Sequence, residues 1–128
     1  MERKIIITAA LFGMLAIILG AFGAHALKAI LTPEQLTSFE TGVRYQMYHA
    51  FFLFFVASRK KLTLKAQKVI YNLVLAGVLF FSGSIYLLTT KNVTSVDFKI
   101  IGFVTPIGGL LLIFAWLVLF VTFFKEKS

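Results

Sequence analysis

The sequence predicts an all-α fold, a four-helix transmembrane bundle with both termini cytoplasmic, and three observations carry that expectation. Of its 128 residues 59% are apolar and 14% charged, with a mean hydropathy of +0.93, whereas a soluble domain averages about 45–50% apolar and about 25% charged. So short a chain has little interior in which to hide that apolar excess, so its solvent is lipid. Four apolar runs, at 5–27, 43–58, 69–88 and 100–124, approach the roughly 20 residues that a spanning helix requires. Basic residues gather in one link: Arg59, Lys60, Lys61, Lys65 and Lys68 stand between the second and third runs. Residues 1–128 therefore form one integral membrane domain, multi-pass in the inner or plasma membrane.

The first run follows Arg3-Lys4 and ends near Ala24-His25-Ala26, which looks like a signal-peptidase site. Its apolar stretch is longer than the 7–15 residues usual in a signal peptide, so it is expected to remain as a span. Within it Ala9, Gly13, Ala16, Gly20 and Gly23 follow a 4-3-4-3 spacing that lays one seam of small residues along a helix. In lipid, helices associate where small residues let backbones approach; this seam is therefore a packing face.

The second run is short, but Thr32-Pro33-Glu34-Gln35 reads as a helix start. Thr32 is the N-cap, Pro33 is N1, Gln35 closes a capping box, and Leu31 staples to Leu36. The helix should begin at Pro33, outside the hydrocarbon, with Gly42 as a bend where interface becomes membrane. Arg44 follows Glu40 by four residues, the order that favours a helical ion pair, and lies shallow enough to snorkel.

In the third run Ala76 and Gly83 stand one heptad apart with Ser82 and Ser84 beside them, a second packing surface. The fourth carries Gly102, Gly108 and Gly109 as small contacts. It also contains Thr105-Pro106, where the missing backbone donor should kink or restart the helix. Carbonyls freed near Gly102 and Phe103 then need partners, and the Thr105 hydroxyl is the nearest. Lys125 and Lys127 anchor its far end.

Cytoplasmic loops hold the excess of Lys and Arg. The link between runs one and two carries Lys28 against Glu34 and Glu40, and the last link Lys91 and Lys99 against Asp97. Four spans place both termini beside the basic loop, in agreement with Arg3, Lys4, Lys125 and Lys127. The net charge of +8 thus reads as topology and as attraction to anionic lipid, worth about 1 kcal/mol per basic residue near the surface. No folded domain presents these residues to nucleic acid.

Ionisable groups within a span are costly and need a reason. Tyr45, Gln46 and His49 fall on one flank of the second helix, and His25 ends the first. With Tyr86 and Thr105 they form a candidate polar cluster in the outer half of the membrane. The structural explanation is interhelical hydrogen bonding at about 0.6 kcal/mol per pair. The functional ones are a quinone or haem held by His25 and His49, or a proton relay. A metal site lacks a carboxylate or third histidine to complete it. The zero cysteine count removes thiolate, disulfide and Fe–S chemistry. No catalytic triad, phosphate loop or carboxylate pair is present, so no enzyme is expected and no cofactor is implied.

Four segments carry a family resemblance: Gly20-Ala21-Phe22-Gly23-Ala24-His25-Ala26-Leu27, Tyr45-Gln46-Met47-Tyr48-His49-Ala50, Phe81-Ser82-Gly83-Ser84-Ile85-Tyr86, and Thr105-Pro106-Ile107-Gly108-Gly109 with Trp116 seven residues on. Together they resemble the family of small bacterial inner-membrane proteins called YgdD or YwdK, which has eukaryotic relatives. The resemblance implies a four-span integral membrane protein and brings no established activity or cofactor. Its pattern maps onto His25, Tyr45, Gln46, His49, Gly83, Tyr86, Thr105, Pro106, Gly108, Gly109 and Trp116. Ala115 stands where family members usually carry Gly, and Arg44 lies outside the pattern.

The leading expectation is a non-enzymatic membrane protein acting through packing with lipid or a protein partner, a second copy included, and supporting envelope integrity. The alternatives are a small transporter or channel, for which the first span lacks the intramembrane carboxylate that proton exchange needs, and a redox subunit using His25 and His49.

Overall fold

The computed structural model describes residues 1–89 and 102–126. Four α-helices account for most of them: α1 (Glu2–His25), α2 (Pro33–Ser58), α3 (Leu64–Thr89) and α4 (Val104–Phe124), with a 3-10 turn at Leu27–Ala29. They run up, down, up and down. The closest packing is sequential, α1 on α2, α2 on α3 and α3 on α4. Lys91, Asp97, Lys99, Lys127 and the first two residues of the 100–124 span lie outside the described residues.

Local chemistry explains the boundaries. Thr32 Oγ1 accepts from the Gln35 N–H at 3.1 Å while Gln35 Oε1 accepts from the Thr32 N–H at 3.0 Å, so α2 starts with the reciprocal cap expected of its sequence. It runs as one continuous α-helix through Gly42. Gly42 makes room for a neighbour: a Cβ on it would lie 2.8 Å from the Tyr86 ring. The α2–α3 link is short, with Leu62 buried beneath it and Thr63 Oγ1 accepting from the Ala66 N–H at 3.1 Å.

α4 begins at Val104, four residues later than the apolar run, and Pro106 falls in its first turn, where a helix has no use for the missing N–H. The irregularity expected at Pro106 is thus a passage from a 3-10 turn at Gly102 and Phe103 into α-helix at Val104. Thr105 does not serve the carbonyls near Gly102 and Phe103; its hydroxyl bonds that of Ser84 on α3.

The small-residue seam of α1 faces α2. Ala9 and Ala16 are fully buried, Gly13 lies beside Ala50 and Met47, Gly20 beside Val43, and Gly23 against the Phe39 ring. Between α3 and α4 the contact is closer still: on α4 it runs through Gly108, as expected, and on α3 through a glycine other than the one expected. A Cβ on Gly108 would stand 2.3 Å from the Phe81 backbone nitrogen, and one on Gly77 2.6 Å from Leu112. Among the described residues a Cβ on Gly83 or Gly102 would meet nothing within 4 Å. The α3 contact therefore runs through Gly77, one residue from Ala76, and not through the heptad partner Gly83.

Three helical segments, Glu2–Ala29, Leu64–Thr89 and Val104–Phe124, are long and apolar enough to cross a membrane. α2 falls short of that apolarity, because Arg44, Gln46 and His49 interrupt it. Gln46 and His49 are turned inward all the same, 5% and 3% exposed, while Arg44 is exposed. Arg44 donates to Thr41 Oγ1 at 3.2 Å in place of the expected bond to Glu40.

Contacts also define two ends. Lys61 pairs with Glu126 at 3.2 Å, the Arg59 guanidinium lies 5.6 Å from the Phe123 ring, and Lys4 sits 5.3 Å over the Tyr71 ring. The start of α1, the α2–α3 link and the end of α4 therefore share one end, where eight cations (Arg3, Lys4, Arg59, Lys60, Lys61, Lys65, Lys68 and Lys125) meet Glu2 and Glu126. At the other end, among the described residues, Lys28 and Arg44 balance Glu34 and Glu40.

The two glycines Gly108 and Gly83 should respond oppositely to alanine. Gly108→Ala must push α4 off the α3 backbone and should cost about 1–3 kcal/mol, whereas Gly83→Ala should gain about 0.5–1 kcal/mol from helix propensity. Thermal unfolding of both variants in one detergent checks this. Equal stability of Gly108→Ala and the parent would contradict the packing.

Candidate functional site

The polar residues of α2 reach three other helices from one flank. Gln46 Nε2 donates to the Phe12 carbonyl of α1 at 2.8 Å, and Gln46 Oε1 accepts from the Tyr86 hydroxyl of α3 at 2.7 Å. The first bond crosses to a main-chain atom, and it is available because the α1 seam of Ala9, Gly13 and Ala16 leaves that backbone uncovered. One turn earlier on α2, Ser82 Oγ of α3 donates to the Gly42 carbonyl at 2.8 Å.

One turn later, His49 Nδ1 lies 2.7 Å from the Tyr45 carbonyl, and His49 Nε2 accepts from the Trp116 indole of α4 at 3.1 Å. A carbonyl can only accept and an indole N–H can only donate. The pair therefore fixes a neutral imidazole with its proton on Nδ1. Phe52 supports the arrangement with its ring 4.3 Å from that of Trp116. Among the described residues no buried side-chain polar atom lacks a hydrogen-bond partner, which matters because an unsatisfied group in hydrocarbon costs several kcal/mol.

The six residues of the expected cluster do not form one group. Gln46 and Tyr86 share a bond, and His49 lies a turn away with its own partner. Thr105 sits with Ser84. Tyr45 contributes its carbonyl to His49, while its ring is 40% exposed and rests against Phe81 at 5.0 Å. His25 is exposed at the end of α1. The α1–α2 register, with Gly20 beside Val43 and Gly13 beside Ala50, sets His25 level with Ser38. Ser38 precedes His49 by eleven residues, about 16 Å along the helix. The expectation that both histidines share a depth fails for that reason, and two rings so far apart cannot ligate one haem iron.

Sequence reasoning missed the Phe12 carbonyl, which no side-chain pattern advertises, and the Trp116 bond to His49. A signal for the second was present in the single tryptophan of an otherwise apolar helix, since a buried indole N–H needs an acceptor. The bond between Thr8 of α1 and the Tyr71 hydroxyl of α3, 2.8 Å, was missed as well.

Beside this network lies a groove between α2 and α4, about 420 Å³, lined by Tyr45, His49, Phe81, Gly109, Leu112 and Trp116. Its walls are apolar, and its buried polar groups are those already bonded to one another.

The family model described as "Protein of unknown function (DUF423)" matches residues 19–109. The chain belongs to the DUF423 family. Relatives named UPF0382 membrane protein span it almost completely. A Staphylococcus aureus protein is 38% identical over 96% of this chain and 97% of its own. YwdK of Bacillus subtilis is 38% identical over 96% and 98%, and a Haemophilus influenzae protein 36% identical over 100% and 99%. No solved structure matches the chain. As a member of DUF423 the chain is one of a set of membrane proteins of unknown function, and the resemblance to YwdK noted in its sequence holds over nearly its full length.

His49→Leu should weaken the DUF423 bundle in detergent by about 0.6–1.7 kcal/mol, the range measured for hydrogen bonds within membrane proteins, while the lipid-side change Ile18→Leu should have no effect. A double-mutant cycle with Trp116→Phe checks it. A coupling energy of zero would remove the His49–Trp116 bond.

Proposed function

We propose that the chain is a non-enzymatic, four-span protein of the inner or plasma membrane, with both termini and the Arg59–Lys68 segment in the cytoplasm, and that it acts through packing with lipid or a partner protein in support of envelope integrity. The observation that carries this reading is the treatment of α2. Its two buried polar side chains, Gln46 and His49, are spent on bonds to α1, α3 and α4, and toward its end the outward residues Phe51, Phe54 and Phe55 are large, apolar and exposed. A helix built that way suits lipid on one side and a bundle on the other, so α2 serves as the fourth span although its mean apolarity is lower than that of the others.

The gathering of eight cations at one end supports the orientation, since cytoplasmic ends hold the excess of Lys and Arg. The described carboxylates are all exposed, Glu2, Glu34 and Glu126 at helix ends and Glu40 about two turns into α2, on the part of α2 read as lying outside the hydrocarbon, which leaves proton-coupled transport without an intramembrane carboxylate among the described residues. His49 has both ring nitrogens engaged in structural bonds.

Reporter fusions test the topology. A cytoplasm-active reporter should be active at Lys61 and after Glu126, and an export-dependent one at Ala29; export-dependent activity at Lys61 would overturn it. For the role, cells lacking the protein should take up more of a membrane-impermeant dye under hypo-osmotic shock, and the His49→Leu chain should restore them less well than the parent. Uptake unchanged by the deletion would contradict a part in envelope integrity.

A further inference from the structure

α2 and α4 are bridged by Trp116, whose indole bonds His49 and stacks near Phe52. On the basic side of that bridge the two helices leave a cavity of about 470 Å³, walled by Phe55, Leu119, Phe120, Phe123 and Phe124 and floored by Trp116. From Trp116 to Phe124 it spans eight residues of α4, about 12 Å, close to the roughly 15 Å of one leaflet's hydrocarbon.

A cation stands at its mouth. The Arg59 guanidinium lies 5.8 Å from the Phe55 ring of α2 and 5.6 Å from the Phe123 ring of α4, so it sits between the two walls. The neighbouring cation Lys61 is taken by Glu126, and Arg59 makes no ion pair among the described residues. Stacking on rings fixes the plane of a guanidinium and leaves its N–H fork free for a phosphate, which it can grip with two parallel bonds. Lys60 and Lys125 flank the same end.

From this we infer that the α2–α4 groove is a binding site for one anionic phospholipid, its phosphate on Arg59 and one acyl chain along the aromatic walls as far as Trp116. The match is one of charge and shape: a hydrocarbon slot of about one leaflet's depth ends in a cation without a carboxylate partner among the described residues. A helix from another protein would fill the slot but leave Arg59 without an anion. The inference rests on the reading of α2 and α4 as spans.

Trp116 is the chain's single tryptophan and forms the floor of the groove, so its fluorescence reports the occupant directly. The full-length protein is reconstituted in phosphatidylcholine vesicles doped with chain-brominated phosphatidylglycerol or chain-brominated phosphatidylcholine. The anionic lipid should quench with about fivefold stronger apparent binding; Arg59→Gln should abolish that preference, and Lys65→Gln, on the first turn of α3 away from the groove, should keep it. Equal quenching by the two lipids, a preference that survives Arg59→Gln, or an equal loss in Lys65→Gln would each overturn the site. Weak quenching by both would mean that another chain covers Trp116, and would overturn it too. Brominated lipid occupies both leaflets, so a failure of the proposed orientation appears only in the reporter fusions and leaves this result interpretable.

Discussion

Gln46 ties three helices with one side chain. Its amide nitrogen reaches the Phe12 carbonyl on α1 and its amide oxygen receives the Tyr86 hydroxyl from α3, and a side chain only 5% exposed has to find such partners inside the protein. That constraint sets the rotation of α2. With Gln46 turned inward, His49 and Ala50 follow on the same face, and Phe51, Phe54 and Phe55 are left outside. The polar content that makes α2 the least apolar helix is thus the reason it belongs in the middle of the bundle.

Close approach supplies what the hydrophobic effect cannot supply in lipid. The α1 seam lets α2 come near enough for Gln46 to touch main chain, and Gly77 and Gly108 let α4 lie against the backbone of α3. α4 itself is strongly apolar and meets α2 through Trp116, with Arg59 at the end of α2 reaching Phe123 further along.

Much of this was legible in the chain. Composition and run length give the helices, and the capping box of Thr32 and Gln35 locates the start of α2, because both depend on local sequence. The 4-3-4-3 seam of α1 is legible for the same reason. What failed depended on tertiary geometry. Gly83 and Gly77 are equally small, and nothing local says which one faces α4. Antiparallel neighbours joined by a turn suggest one depth for His25 and His49, but α2 extends more than four helical turns between its start at Pro33 and His49. Pro106 signalled an irregularity without saying that it would be a passage from a 3-10 turn into α-helix. Tyr86 was named as a partner for the polar flank, whereas the Phe12 carbonyl is invisible to any pattern of side chains.

The central claim, that α2 crosses the membrane with Gln46 inward and its phenylalanines in lipid, is most directly tested by nitroxide scanning. Single cysteines from 44 to 57, introduced into a chain that has none, are spin-labelled in lipid vesicles. Collision rates with oxygen and with a water-soluble nickel complex are then measured at each position. Oxygen accessibility should peak at 51, 54 and 55, reach minima at 46, 49, 50, 53 and 56, and exceed nickel accessibility at every peak. Nickel contact at 51 or 54, or oxygen maxima in phase with 46 and 53, would contradict the account.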